Sequence, residues 1–190
     1  METKTLLLRY LRASRDALIW KAEGLSERDL RRPRTPTGTN LAGLIKHCAF
    51  IEHGYFVECF AQSSPLSLPS FDFDADPQAD FYLTAEESAA DTIKLYRQVG
   101  EVVDEIVERF PLAAAGYVPW WGERSHTTLE AVLVHVLAEV ARHAGHADII
   151  REGIDESVGL RPAVPNTEAP PGGWPAHVRK LTDLADGGAR

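Results

Sequence analysis

Cysteine, methionine and long apolar runs are scarce in this chain, and each scarcity removes a class of protein. Of 190 residues only two are cysteine, Cys48 and Cys59, and one is methionine. The two cysteines make neither a CxxC pair nor a disulfide framework, so a reducing, cytoplasmic setting is the expectation. No stretch approaches the roughly 18 consecutive apolar residues of a membrane span, and the opening Met1-Glu2-Thr3-Lys4 lacks the apolar core of a signal peptide. The positive balance that nucleic acid attracts is missing too: 20 Lys and Arg stand against 28 Asp and Glu, a formal net charge of −8. There is no strong strand pattern and no evident internal repeat.

What remains has ordinary globular proportions, 44% hydrophobic and 25% charged. The length suits a single domain over 1–190 with a substantial core. Four segments carry helical periodicity. The first, about 3–23, has Leu7, Leu11, Ser14 and Leu18 on one stripe and Gly24 as a stop. The second, about 40–60, aligns Leu41, Leu44, Cys48, Ile51 and Tyr55. The third, about 85–110, opens at a capping box, Thr84-x-x-Glu87, and runs through Leu95, Val99, Val102 and Ile106 to Pro111. The fourth, about 128–153, opens at Thr127-x-x-Glu130 and ends near Gly153. Four helices of this length bury their stripes against one another, so the expected fold is an all-α four-helix bundle.

Three connections are unusual. Residues 61–83 form a long link of the kind that is functional or mobile. It carries Asp72, Asp74, Asp76 and Asp80, yet an EF-hand loop begun at Asp72 would need Gly and Glu where Pro77 and Leu83 stand. A solvated acidic loop is therefore expected. Trp120-Trp121 precede the fourth helix and either border a pocket mouth, together with the 61–83 link, or pack around the helix start. A Pro/Gly-rich tail over 160–190 reads as a segment pinned by Trp174, with a short helix after it.

The histidines carry the chemistry. On the fourth helix Glu139 and His143 stand at i and i+4, one turn apart, next to the core positions Val136, Val140 and Ala147. A carboxylate at the core margin calls for a compensating partner. On the second helix His47 lies at the edge of the stripe of Leu44, Ile51 and Tyr55, where a facing helix brings it opposite that pair. Two histidines and a carboxylate suit zinc, iron and neighbouring metals and leave a coordination position open. Spacing alone leaves rivals: His135 with Glu139, His143 with His146, or a plain ionic pair. His53 falls on the polar side of its helix, and His126 and His177 lie in or near loops. The zinc-protease signature HExxH is absent, since the spacing here is E-x-x-x-H.

Three sequence pieces, in this order and spacing, carry a resemblance: Gly24-Leu25-Ser26-x-x-Asp29-Leu30, Leu41-x-Gly43-Leu44-Ile45-Lys46-His47, and Glu139-x-Ala141-Arg142-His143-Ala144-Gly145-His146-Ala147-Asp148. The chain resembles the DinB-like (YfiT-like) metalloenzyme superfamily from Leu6 to about Ile154. It is most similar to the branch that includes mycothiol-dependent maleylpyruvate isomerase and thiol S-transferases. The resemblance implies the four-helix bundle, and it implies His47, Glu139 and His143 as metal ligands in preference to His135 and His146. Zinc is the expected ion, with nickel, iron and manganese as alternatives. The cosubstrate it implies is a low-molecular-weight thiol of the mycothiol or bacillithiol type, activated to attack a small-molecule electrophile, and a homodimer is a common arrangement in the superfamily. Two other activities stay open: a metal-water hydrolase, disfavoured by the lack of a general base beyond the ligands, and a non-enzymatic bundle whose metal site is structural or vestigial. Cys48 reads as a small core residue, and Arg142 as a surface ion-pair partner of Glu139.

Overall fold

The computed structural model describes residues 2–162, 164 and 167–187; the remaining positions of the tail read from sequence lie outside the described residues. The chain divides into two compact units, residues 1–157 and 158–190.

The first unit is the expected helical bundle. Helix α1 spans Thr3–Trp20, a short α2 spans Glu27–Arg31, α3 spans Leu41–His53, α4 spans Ala89–Arg109 and α5 spans Leu129–Asp155. Helix α1 packs on α5 and α4, and α3 packs on the same two, so the four long helices close a ring around one core. The periodic positions fill it: Leu11, Leu18, Leu44, Cys48, Val99, Val136, Val140 and Ala147 are all buried. None of the described helices is long and apolar enough to cross a membrane.

Helix boundaries differ locally from the sequence reading. Helix α4 begins at Ala89 rather than 85, because Ser88 is the residue whose side chain caps it, accepting from the Asp91 N–H. The Thr84–Glu87 box forms one turn earlier, where the Thr84 N–H donates to Glu87 Oε2 at 2.7 Å and closes the preceding loop. Helix α5 is capped by Thr128, not Thr127. Thr127 belongs instead to a hairpin absent from the sequence reading, β1 (Ala115–Tyr117) paired antiparallel with β2 (His126–Thr128) around a 3₁₀ segment, Pro119–Arg124. Three residues per strand are too few to show an alternating pattern. Helix α3 ends at His53 and continues as a single π turn, Gly54–Glu58, which turns Tyr55 and Phe56 inward.

In the second unit, Arg161 and Val164 form an isolated bridge and α6 spans Gly173–Gly187. Trp174 is 42% exposed and its ring centroid lies 6.0 Å from that of His177 on the same helix.

Candidate metal and substrate site

Residues 79–87 are held on α3 by an unusual polar helix edge. Asn40 caps α3 by accepting from the Gly43 N–H at 2.8 Å, and its Nδ2 donates to the Phe81 carbonyl at 3.3 Å. Gly43 makes this approach possible: a Cβ there would lie 1.8 Å from the Phe81 oxygen. One turn on, Lys46 Nζ donates to the Ala79 and Tyr82 carbonyls and pairs with Glu87 at 2.9 Å. Arg31 on α2 donates to the carbonyls of Leu83, Thr84 and Glu87. A buried lysine needs such partners, and the loop needs such donors, so each fixes the other.

This anchoring places Asp80 and Phe81 over His47. The Phe81 ring stacks on the imidazole with centroids 3.8 Å apart, and Asp80 Oδ2 lies 2.6 Å from His47 Nδ1. A carboxylate only accepts, so Nδ1 carries a proton toward Asp80, the tautomer that in a neutral imidazole leaves the Nε2 lone pair for a ligand. The acidic loop is thus solvated at Asp72 and Asp74, half-buried at Asp76, and not solvated at Asp80, which is 6% exposed.

Helix α5 supplies the opposing donors. The rings of His47 and His143 meet edge to face, centroids 4.8 Å apart, and His143 Nε2 lies 3.5 Å from Glu139 Oε2. His143 is 7% exposed; its carboxylate neighbour is at the core margin with 28% of its side chain exposed. Burial, then the neighbouring His47 and His146, hold the His143 imidazole down at about 4, so it is neutral at physiological pH with a lone pair to offer. Arg142 lies 3.9 Å from Glu139 and is exposed, a surface ion pair as expected.

The Glu139–His143 pair suits a divalent cation in chemistry and in spacing. Two ligands at the usual 2.0–2.2 Å from a tetrahedral ion stand about 3.4 Å apart; Glu139 and His143 stand at 3.5 Å. The Asp80–His47 bond is the arrangement by which a carboxylate fixes the tautomer of a ligating histidine. His143 Nδ1 is buried without a hydrogen-bond partner, and Glu139 makes only long contacts, so the group is polar yet unsatisfied. Among the described residues, no three His, Cys, Asp or Glu side chains converge as a finished ligand set.

The rival histidines lie elsewhere. His135 packs between Tyr55 and Trp121, ring centroids 5.0 Å from each. The His146 ring lies 5.4 Å from that of His143, and His146 is not among the residues lining the pocket beside His47. His53 is buried rather than on a polar face, 3.4 Å from Glu58 on the π turn. Cys48 is fully buried, and burial pushes its thiol well above the ordinary range, so it serves as packing.

His47, Asp80 and Glu139 open onto a pocket of about 710 Å³. Phe50, Phe71, Phe73 and Tyr55 line it, along with Trp120 and His135. Trp120 and Trp121 both donate their indole N–H to the Tyr55 hydroxyl, at 2.8 and 3.1 Å; Trp120 lines the pocket and Trp121 packs on His135. The sequence offers the 61–83 link as a border of the pocket mouth, one of two alternatives, but neither Asp80, Phe71 and Phe73 within it nor Phe50 stands out individually. Gly43, a glycine within a helical stripe, is a signal of the close backbone approach.

Comparison with known proteins agrees with this architecture. No curated protein matches the chain in sequence. Among solved structures it is similar to a conserved protein from Enterococcus faecalis, with TM-score 0.58 and 14% identity over 80% of this chain and 96% of that one. That likeness concerns the fold alone. A family model described as Mycothiol-S-transferase matches residues 6–156, a span holding every donor and pocket residue named above. With most of its length matched and its helical bundle formed as that resemblance implies, the chain belongs to the mycothiol S-transferase family, a DinB-like family.

Proposed function

We propose that this protein is a metal-dependent thiol S-transferase whose divalent ion is held by His47, Glu139 and His143. The observation that carries the reading is the pair Glu139–His143 at ligand spacing, facing a histidine whose tautomer is set by Asp80. A bound divalent cation supplies a Lewis-acidic position there and favours the thiolate form of a low-molecular-weight thiol at neutral pH. Zinc, nickel, iron and manganese all suit the donor set.

The chain's own residues do the rest. Asp80 keeps the proton on Nδ1 of His47, and burial keeps His143 neutral, so both imidazoles present lone pairs. The aromatic pocket takes the electrophile and excludes water from beside the donors. The thiol sulfur forms a bond to the electrophilic carbon as the bond to the leaving group breaks. The leaving group departs with its electron pair, and the thiol proton passes to solvent. Mycothiol is the thiol the family description names. A pocket open beside the donors favours this reading over a purely structural ion, whose ligand shell would be closed.

The test is metal content together with thiol conjugation. Purified protein is expected to hold about one equivalent of divalent metal, and to accelerate conjugation of a bimane or chloronitrobenzene electrophile by mycothiol. Protein that takes up none of the four metals, or that conjugates no thiol when loaded, contradicts the proposal.

A further inference from the structure

The lining of the pocket constrains what enters it. Its aromatic rings form two groups: Phe50 and Phe71 lie with centroids 4.5 Å apart and Phe71 and Phe73 at 5.7 Å, while Tyr55 and Trp120 lie at 5.2 Å. Its charged lining residues are Glu58, Asp80 and Glu139, and among the described residues no lysine or arginine lines it. Two cations stand nearby and neither lines the pocket. Lys46 Nζ lies 4.9 Å from the Phe71 centroid, but it is buried and spent on Glu87 and the carbonyls of Ala79 and Tyr82. Arg142 is solvent-exposed, outside the lining, and lies 3.9 Å from Glu139, whose charge it partly offsets.

A divalent cation at the donor set does not reverse this balance. Glu139 and the Asp80 behind His47 offset its two charges, and a thiolate adds a further negative one. An anionic substrate would give up hydration against aromatic surface and meet the Glu58 carboxylate and the thiolate with no cation in the lining to pair with. An uncharged ring gains stacking contacts, and a cationic one gains the faces of Phe71, Phe73 and Trp120 as well.

On these observations, and resting on the transferase reading above, we infer that the electrophile is an aromatic molecule that is uncharged or cationic, because with Glu139 and Asp80 balancing the metal ion the charges left at the pocket are the Glu58 carboxylate and the thiolate. The reaction is unchanged: a carbon–sulfur bond forms, the carbon–leaving-group bond breaks, and the leaving group takes the electron pair.

Two measurements on the purified protein test this separately from the transferase reading. In the first, calorimetric titration compares benzyltrimethylammonium, benzyl alcohol and benzenesulfonate, none of which reacts with thiols. The cation and the alcohol are expected to bind about tenfold or more tightly than the sulfonate, the scale of a cation–π contact or one unscreened like charge. Glu58→Gln, a change at the pocket rim, is expected to narrow the gap between cation and sulfonate. Equal or tighter binding of the sulfonate overturns the inference, as does a Glu58→Gln variant that leaves the order and the gap unchanged. In the second, mycothiol conjugation is followed with neutral, trimethylammonio and sulfonated bromobimanes. A rate order with the sulfonated probe first also overturns the inference. The expected binding order with no conjugation of any probe supports the pocket's charge preference and overturns the transferase reading alone.

Discussion

Helix α3 supports two buried polar clusters about a turn apart, and they differ in how completely they are satisfied. Around Glu52 the partners are nearly complete. Its side chain is fully buried, accepts from Arg15 Nε at 2.7 Å and from the Tyr96 hydroxyl at 2.7 Å, while Arg15 also reaches Asp104 at 2.6 Å. Only Arg15 Nη2 in this cluster lacks a partner. Burial pushes the Glu52 carboxyl above its ordinary range, against the pull of Arg15 and Tyr96. Around His47 the partners run out: His143 Nδ1 has none, and Glu139 has only long contacts. The first cluster ties α1, α3 and α4 together. The second faces a cavity. A buried carboxylate held by close hydrogen bonds is evidence of architecture, and one left with only long contacts at a pocket wall, as Glu139 is, points to a ligand.

The sharpest way to break this contrast is to truncate one residue from each cluster. Glu52→Ala is expected to lower the unfolding free energy by about 3–5 kcal/mol, because it removes one of the two carboxylates that hold the buried Arg15 charge and the acceptor of the buried Tyr96 hydroxyl. The folded fraction should still bind metal normally. His143→Ala is expected to do the reverse, weakening metal affinity by more than about 100-fold with a far smaller change in stability. Denaturant unfolding and elemental analysis of the two variants read both effects, and equal profiles for the two would dissolve the distinction.

Asp80→Asn probes the second cluster one step out. The amide can donate to His47 Nδ1 and so select the wrong tautomer, and metal affinity should fall by about 10–100-fold with the fold intact. Metal competition with a chromophoric chelator measures it, and an unchanged affinity removes Asp80 from its positioning role. Gly43→Ala should act on the same contact from below. Its Cβ would meet the Phe81 oxygen at 1.8 Å, so the 79–83 segment must move, at a cost of about 1–3 kcal/mol. Thermal unfolding and metal affinity should both drop; a drop in neither means the segment is not held by that approach.

Much of the frame was readable from sequence, and the reason is length. Four helices of three turns or more repeat their apolar stripe often enough to be recognised, and Leu11, Cys48, Val99 and Val140 fell inside as the pattern requires. The helix starts were misplaced by one to four residues because capping residues cluster: Thr84 and Ser88 precede α4, and Thr127 and Thr128 precede α5, and only the structure selects between them. The 115–128 hairpin was too short to announce itself. For the site, i, i+4 spacing displayed Glu139 and His143 on one face, but it did not choose them over His135 and His146. Asp80 was hidden because its role depends on a chain reversal across 33 positions, in a loop whose other aspartates are ordinary surface residues. His53 is buried, where an ideal wheel puts it on the polar side, and the π turn after it brings Glu58 to within 3.4 Å of its Nδ1.

The smallest predicted effect concerns the cysteines, which belong to the packed part of the molecule. Burial pushes the Cys59 thiol up to about 11, so at pH 8 roughly one molecule in a thousand is thiolate. Iodoacetamide should therefore label neither Cys48 nor Cys59 quickly in the native protein, and both in urea, as mass spectrometry would show. Rapid native labelling that also abolished thiol transfer would move a cysteine into the chemistry.

The central claim is that His47, Glu139 and His143 hold a divalent ion with a position left open to a thiol, and cobalt substitution tests it most directly. Metal-free protein titrated with Co²⁺ should bind about one equivalent, with visible bands of a low-coordinate N/O site. Added mycothiol should then produce a thiolate-to-cobalt charge-transfer band, and His143→Ala, still folded, should show neither signal. Failure of the wild type to bind cobalt, or the same spectrum from wild type and variant, would contradict the account.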